Sequence, residues 1–163
     1  MSAGRLIITG VSSGIGKALA EAALALGWEV DGIGRHSCDA IDRHENGTFF
    51  QSDLSTIEGV ELVPLQAASN GPTILVNNAG TIGPIDGTEN LGSNDLAHCM
   101  QLNAVAPMRL TARFLSEVAG EKQVYFTGSG AADYPIEGWA AYCASKAAVH
   151  QYAEVLAKEH PKI

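Results

Sequence analysis

The chain has 163 residues, 46% of them apolar and 17% charged, which suffices for one domain with a hydrophobic core and excludes a disordered polypeptide. A formal net charge of −8 excludes a nucleic-acid surface, which needs a basic stripe to neutralise phosphates, and argues against an anionic membrane face. The three cysteines, Cys38, Cys99 and Cys143, are odd in number and lack metal-ligand spacing, and the five histidines form no ligand pattern, so free thiols and no metal are expected.

Taken in order, Arg5–Thr9 is a short apolar run ending in a glycine-rich turn, and reads as a buried strand. Residues 14–26 have helical periodicity, with Ile15, Leu19, Ala22, Ala23 and Leu26 along one side and Gly27 as the stop. Strands are expected at 29–33 and 48–52, with room for at most a turn in the polar stretch between them. A helix is expected at 56–68, weakened by Pro64, and an apolar, β-branched strand at 73–76. Ser93 is the expected N-cap of a long helix reaching Ala119, with a kink or break possible at Pro107. A strand at 123–127 and an alanine-rich helix at 138–159 complete the pattern.

Alternating short apolar strands and helices imply an α/β fold: a doubly wound parallel sheet (Rossmann fold) in a single dinucleotide-binding and catalytic domain spanning 1–163. No run approaches the length of a membrane span and Met1 to Thr9 lacks a signal-peptide pattern, so a cytoplasmic protein is expected.

The first strand enters Thr9-Gly10-Val11-Ser12-Ser13-Gly14-Ile15-Gly16, and a helix follows. Glycines at 10, 14 and 16 suit a tight turn, a bare backbone facing a pyrophosphate and close helix–strand packing. The helix N-terminus then offers N–H groups and a positive dipole end to phosphates. The spacing is not that of a P-loop. The second strand ends at Gly34-Arg35-His36, where NAD enzymes usually carry an acid for the ribose 2′-OH. A guanidinium there can pair with a 2′-phosphate, which favours NADP (NADPH) over NAD; a solvated strand-end arginine is the alternative.

These motifs resemble the short-chain dehydrogenase/reductase family, and the resemblance runs along essentially the whole chain. Thr9 to Gly16 is similar to the family's glycine signature, with Ser12, Ser13 and Ile15 among the residues that would meet the cofactor. Asn77-Asn78-Ala79-Gly80 resembles its second signature, and Tyr142-Cys-Ala-Ser-Lys146 its Tyr-x-x-x-Lys motif. Ser129 stands at the separation of the family's catalytic serine, and Asn103 matches its helix asparagine. Asp53-Leu54 resembles the pair that receives the adenine. The stretch from Gly128 to Ala148 looks most like the sepiapterin/benzil-reductase-like branch, which implies a ketone or diketone substrate. The resemblance also implies a homo-oligomer, a dimer or tetramer, consistent with the small apolar residues of the last helix.

The chemistry can be argued from residue types. Tyr142 and Lys146 share a helix face. A phenol titrating near ~10 is a poor acid or base at neutral pH, and a nearby ammonium favours its ionised form. Tyr142 could then exchange a proton with a carbonyl or alcohol oxygen during hydride transfer, with Ser129 hydrogen-bonded to the same oxygen. Lys146 would also hold the nicotinamide ribose. By resemblance, Asn103 would hold a water that links Lys146 to solvent. An amphipathic tyrosine beside a snorkelling lysine is the bland alternative.

Family members continue past this helix with further strands and a substrate lid. The expectation is therefore an incomplete C-terminus: a fragment, a truncated gene product or a trimmed chain. The expected function is an NADP-dependent oxidoreductase acting on a small carbonyl or alcohol substrate. Its rival is a non-catalytic dinucleotide-binding or interaction module. A methyltransferase using S-adenosylmethionine is a poor third reading, because it leaves Tyr142 and Lys146 unexplained.

Overall fold

The computed structural model describes residues 3–163. The strands are β1 (Arg5–Thr9), β2 (Glu29–Gly34), β3 (Gly47–Gln51), β4 (Thr73–Asn77) and β5 (Lys122–Phe126). All pair in parallel, in the order β3-β2-β1-β4-β5. The helices are α1 (Gly14–Ala25), α2 (Asp39–Asp42), α3 (Ile57–Glu61), α4 (Ser93–Met100), α5 (Ala106–Glu117) and α6 (Ala140–Glu159). The chain winds outward from β1 to β3, returns to β4 on the other side of β1, and continues outward to β5. The winding sense reverses between β1 and β4, and the crevice at their C-terminal ends is where such sheets bind ligands.

Parallel strands bury both faces, so successive side chains feed different cores. Ile7, Ile33 and Leu75 pack with Leu110 and Phe114 of α5 and with Val60 and Val63. Leu6, Ile8 and Val30 pack with Ala20 and Leu24 of α1 and with Ile41 of α2. Each fully buried side chain of this kind stabilises the fold by about 1.5–3 kcal/mol. On the α5 face, Arg5 reaches across to β2, donating to Asp31 at 2.6 Å and pairing with Glu29. Burial pushes the Asp31 carboxyl above its ordinary range while Arg5 opposes the shift. On the same side α6 lies beside α5, with Tyr152 edge-on to Phe126 at 6.0 Å and its hydroxyl donating to the Met108 carbonyl at 3.3 Å.

Four expectations are corrected. The buried stripe of α1 is Gly16, Ala20 and Leu24, whereas Ile15, Leu19 and Leu26 are exposed. Two stripes one residue apart fit the same period, and the sheet selects the one with small residues near the turn. The helix expected at 56–68 stops at Glu61. Thr56 caps it, accepting from the Gly59 N–H at 2.9 Å, but Pro64 has no N–H and disfavours helical backbone at Val63. The expected long helix starts after Gly92, not Ser93, as N-cap, and it is broken into α4, a π-helical turn at Gln101–Val105, and α5. Pro107 therefore sits in the first turn of α5, where a missing N–H costs least. The last helix begins at Ala140 behind Gly138, whose φ of +78° ends the preceding loop. The polar stretch after β2 forms the single turn α2, and the remaining strand ends fall within one residue of expectation.

Candidate active site

Gly10 leaves β1 with φ +75°, and a Cβ there would lie 2.9 Å from the Ala79 Cα. Gly16 is tighter: a Cβ would lie 2.1 Å from the Gly10 carbonyl oxygen. Both glycines are therefore required by close backbone approach. Gly14 differs, with φ +57° and open space where a Cβ would be. Ser13 is the extended N-cap of α1, yet its side chain makes no capping bond. The first N–H groups of α1 thus face the open side of the turn without a side-chain acceptor.

The turn is tied to β4 by side chains. Thr9 Oγ1 accepts from the N–H groups of Asn78 and Ala79, each at 2.9 Å. Asn78 Nδ2 donates to the Thr9 and Gly10 carbonyls at 3.0 and 3.2 Å, and Thr127 donates to Asn78 Oδ1 at 3.1 Å. Asn78, expected as a cofactor residue, lines the crevice but spends its side chain on holding the ends of β1, β4 and β5 together.

A cavity of about 320 Å³ opens above this turn. One wall is Gly10, Ser12 and Ser13; the next is Gly34, Arg35 and His36 at the end of β2; the floor includes Asn78, Ala79 and Gly80. Asp53 and Leu54 line it beyond β3, with Ser52 and Ser55. The Ser55 hydroxyl and N–H donate to Asp53 Oδ1 at 2.7 and 3.0 Å, and these bonds hold the Asp53 carboxyl below its ordinary range. Arg35 is exposed on the opposite wall, and its charge adds to the lowering of Asp53. From α4 and the π-turn, His98 and Leu102 close the far side.

Tyr142 and Lys146 lie one turn apart on α6, with Lys146 Nζ 5.8 Å from the centre of the Tyr142 ring. Lys146 is buried, and its Nζ donates to the Thr127 carbonyl at 2.8 Å. Burial holds its pKa below the ordinary lysine value, partly offset by the charge interaction with Cys99. Trp139 packs edge-on against Tyr142 at 5.6 Å. Asn103 is the buried centre of the π-turn. Its Oδ1 accepts from the Thr81 N–H at 2.8 Å, and its Nδ2 donates to the Thr81 carbonyl at 2.7 Å and to Ser145 Oγ at 2.9 Å. Gly80 joins the two regions: a Cβ there would lie 3.1 Å from Asn103 Oδ1 and 4.0 Å from Lys146 Nζ.

Of the residues expected from sequence, Gly10, Ser12, Ser13, Arg35, Asp53, Leu54, Asn78, Ala79 and Gly80 line one cavity. Gly14, Ile15 and Gly16 do not: Ile15 is exposed, and Gly16 is buried beneath Gly10. Ser129 and Lys146 line a second, smaller hollow of about 190 Å³ with Phe126 and Val149. Ser129 caps a short 3-10 turn, its Oγ accepting from the Ala131 N–H at 3.2 Å. Gly34 and His36, beside Arg35 at the strand end, and Ser52, Ser55, His98 and Leu102 line the cavity as well. Ser55, two residues after Asp53, was findable as an Asx-turn partner; His98 and Leu102 come from a helix remote in sequence, and no local signal marks them.

Among the described residues no group of three or more His, Cys, Asp and Glu could hold a metal ion, and no helix is long and apolar enough to cross a membrane. A family model described as short chain dehydrogenase matches residues 5–163. The chain is 35% identical over 162 residues to a benzil reductase ((S)-benzoin forming) of Bacillus subtilis (strain 168), covering 94% of this chain and 66% of that protein. It is 31% identical over 194 residues to a sepiapterin reductase of Rattus norvegicus, covering 100% of this chain and 73% of that one. A crystal structure of a short-chain dehydrogenase/reductase from Burkholderia vietnamiensis superposes with a TM-score of 0.83 at 29% identity, over 94% of this chain and 76% of the other.

Proposed function

We propose that this chain, which belongs to the short-chain dehydrogenase/reductase family, forms the cofactor-binding and acid–base part of an NADP-dependent carbonyl reductase or alcohol dehydrogenase. The observation that carries the reading is Gly80. It lines the crevice on one side and abuts Asn103 and Lys146 on the other, so a dinucleotide lying along the crevice would end beside α6. The residues fit such a cofactor. The exposed Ser12 and Ser13 and the uncapped start of α1 suit a pyrophosphate, Asp53 suits the adenine, and the exposed Arg35 suits a 2′-phosphate.

When bound, the nicotinamide would supply or accept the hydride. Tyr142 gives the proton to the carbonyl oxygen in reduction and takes it back in oxidation. Ser129 hydrogen-bonds the same oxygen and holds it near the phenol. Lys146 anchors the ribose hydroxyls from its place one turn beyond Tyr142 on α6. The Asn103 side chain is committed to Thr81 and Ser145, so a relay water would sit on its main-chain carbonyl. By likeness to proteins named benzil reductase and sepiapterin reductase, the substrate class is a ketone or 1,2-diketone.

The test is a fluorescence titration with NADPH and NADH, followed by turnover of a panel of ketones and diketones. Tighter binding of NADPH and reduction of diketones are expected. Binding of NADPH without turnover by the intact protein would favour the dinucleotide-binding module instead. The exposed Val105 and Val155, with the alanines of α6, support self-association through the stretch 93–119 and α6. A monodisperse monomer in sedimentation at micromolar concentration would remove that part.

A further inference from the structure

Ser145 is fully buried in the turn of α6 between Tyr142 and Lys146. A serine inside a helix commonly bonds back to a carbonyl one turn earlier. Ser145 does so, donating to the Tyr142 carbonyl at 2.8 Å. That uses its only proton, so toward every other neighbour its oxygen can only accept.

The neighbour it faces is Asn103 Nδ2, at 2.9 Å. A primary amide has a donor end and an acceptor end. Thr81 presents an N–H and a carbonyl, and the Asn103 amide matches both at 2.8 and 2.7 Å in one orientation. A flipped amide would set its oxygen against the Thr81 carbonyl and against a serine with no proton left to give. Ser145 and Thr81 therefore impose the same orientation on Asn103. The remaining partner of the amide is the Cys99 thiol at 3.4 Å, a weak acceptor. Thr81 directly follows Gly80 on the floor of the crevice.

We propose that Ser145 is a positioning residue: its hydroxyl orients the Asn103 amide and thereby fastens the Gly80–Thr81 loop to the helix that carries Tyr142 and Lys146. This rests on the reading of that helix as the acid–base element. In a π-turn the regular backbone ladder is interrupted, so the set of the Asn103 side chain depends more on its partners than it would in an α-helix. Among the described residues Ser145 is the α6 residue that bonds to it.

The experiment compares Ser145→Thr with Ser145→Val. The two side chains have nearly the same shape and differ in the hydroxyl, so any crowding is common to both. Amide exchange at Thr81, measured by NMR and referenced to amides of β1, should match the parent in the Thr variant. It should be about tenfold faster in the Val variant, with kcat about tenfold lower and ketone KM nearly unchanged, as expected for one lost buried hydrogen bond. A merely structural serine would lower global stability in both variants and leave their Thr81 exchange and kcat alike; that result overturns the proposal. If the extra methyl prevents both from folding, Ser145→Ala removes the oxygen alone, and unchanged Thr81 exchange there overturns it equally. A parent protein that neither binds NADPH nor turns over sinks the reading of the site, while Thr81 exchange still decides whether Ser145 holds the loop.

Discussion

The crevice above β1, β2 and β3 and the region around α6 meet at Gly80 but are built from different material. The crevice is shaped by backbone: Gly10, Gly14 and Gly16 set the turn, α1 points its unbonded N–H groups outward, and the polar side chains Ser12, Ser13, Arg35 and Asp53 are exposed. The α6 region is shaped by buried polar side chains, with Asn103, Ser145 and Lys146 each hydrogen-bonded to backbone or to one another. A backbone-built site keeps its shape when surface side chains are exchanged and fails when a methyl group enters a close contact. A network of buried polar groups tolerates little, because each lost partner leaves another group unsatisfied. Binding and chemistry should therefore be separable by mutation.

The widest separation is expected for Tyr142→Phe. It should lower ketone reduction by about 10²–10⁴-fold, the span of acid–base catalysis, and leave NADPH affinity nearly unchanged. Parallel loss of binding in a fluorescence titration would show the two regions to be one. Arg35→Ala should weaken NADPH binding by about 1.5–3 kcal/mol, the loss of a charge-assisted contact, with NADH binding little affected. Equal affinity of the parent for both cofactors would assign the crevice no preference.

Gly16→Ala sharpens the backbone side of the contrast. Its methyl would meet the Gly10 carbonyl at 2.1 Å, so a destabilisation of about 1–3 kcal/mol and weaker cofactor binding are expected, read from the urea midpoint and the same titration. Gly14→Ala meets no neighbour, and its cost should be the positive φ alone, about 1–2 kcal/mol. The smallest effect concerns Lys146. Burial lowers its pKa in the folded state, so folding is penalised while the ammonium is charged. The penalty is present below the folded pKa and fades as pH rises through it toward the ordinary value of 10.5. Measured relative to the parent, Lys146→Met should thus be most stable near neutral pH and lose that advantage on going to pH 10. A stability difference independent of pH would mean that burial does not strain this lysine.

Local pattern made much of this molecule readable. Each strand is a short apolar run beside a glycine or polar turn, so the doubly wound parallel sheet follows from alternation alone, and Tyr142 and Lys146 share a face because helical spacing requires it. What sequence left open had longer-range causes. Two stripes of α1 fit one period, and contact with the sheet and with Gly10 selected Gly16, Ala20 and Leu24. Pro64 and Pro107 announced breaks, but local chemistry did not say that the chain beyond Glu61 leaves the helix while a π-turn at Gln101–Val105 leads into α5 around Pro107. The bonds from Ser145 through Asn103 to Thr81 join three segments far apart in the chain. Hydrogen bonds of that kind are set by where elements cross in space, and no periodicity in the sequence encodes the crossing.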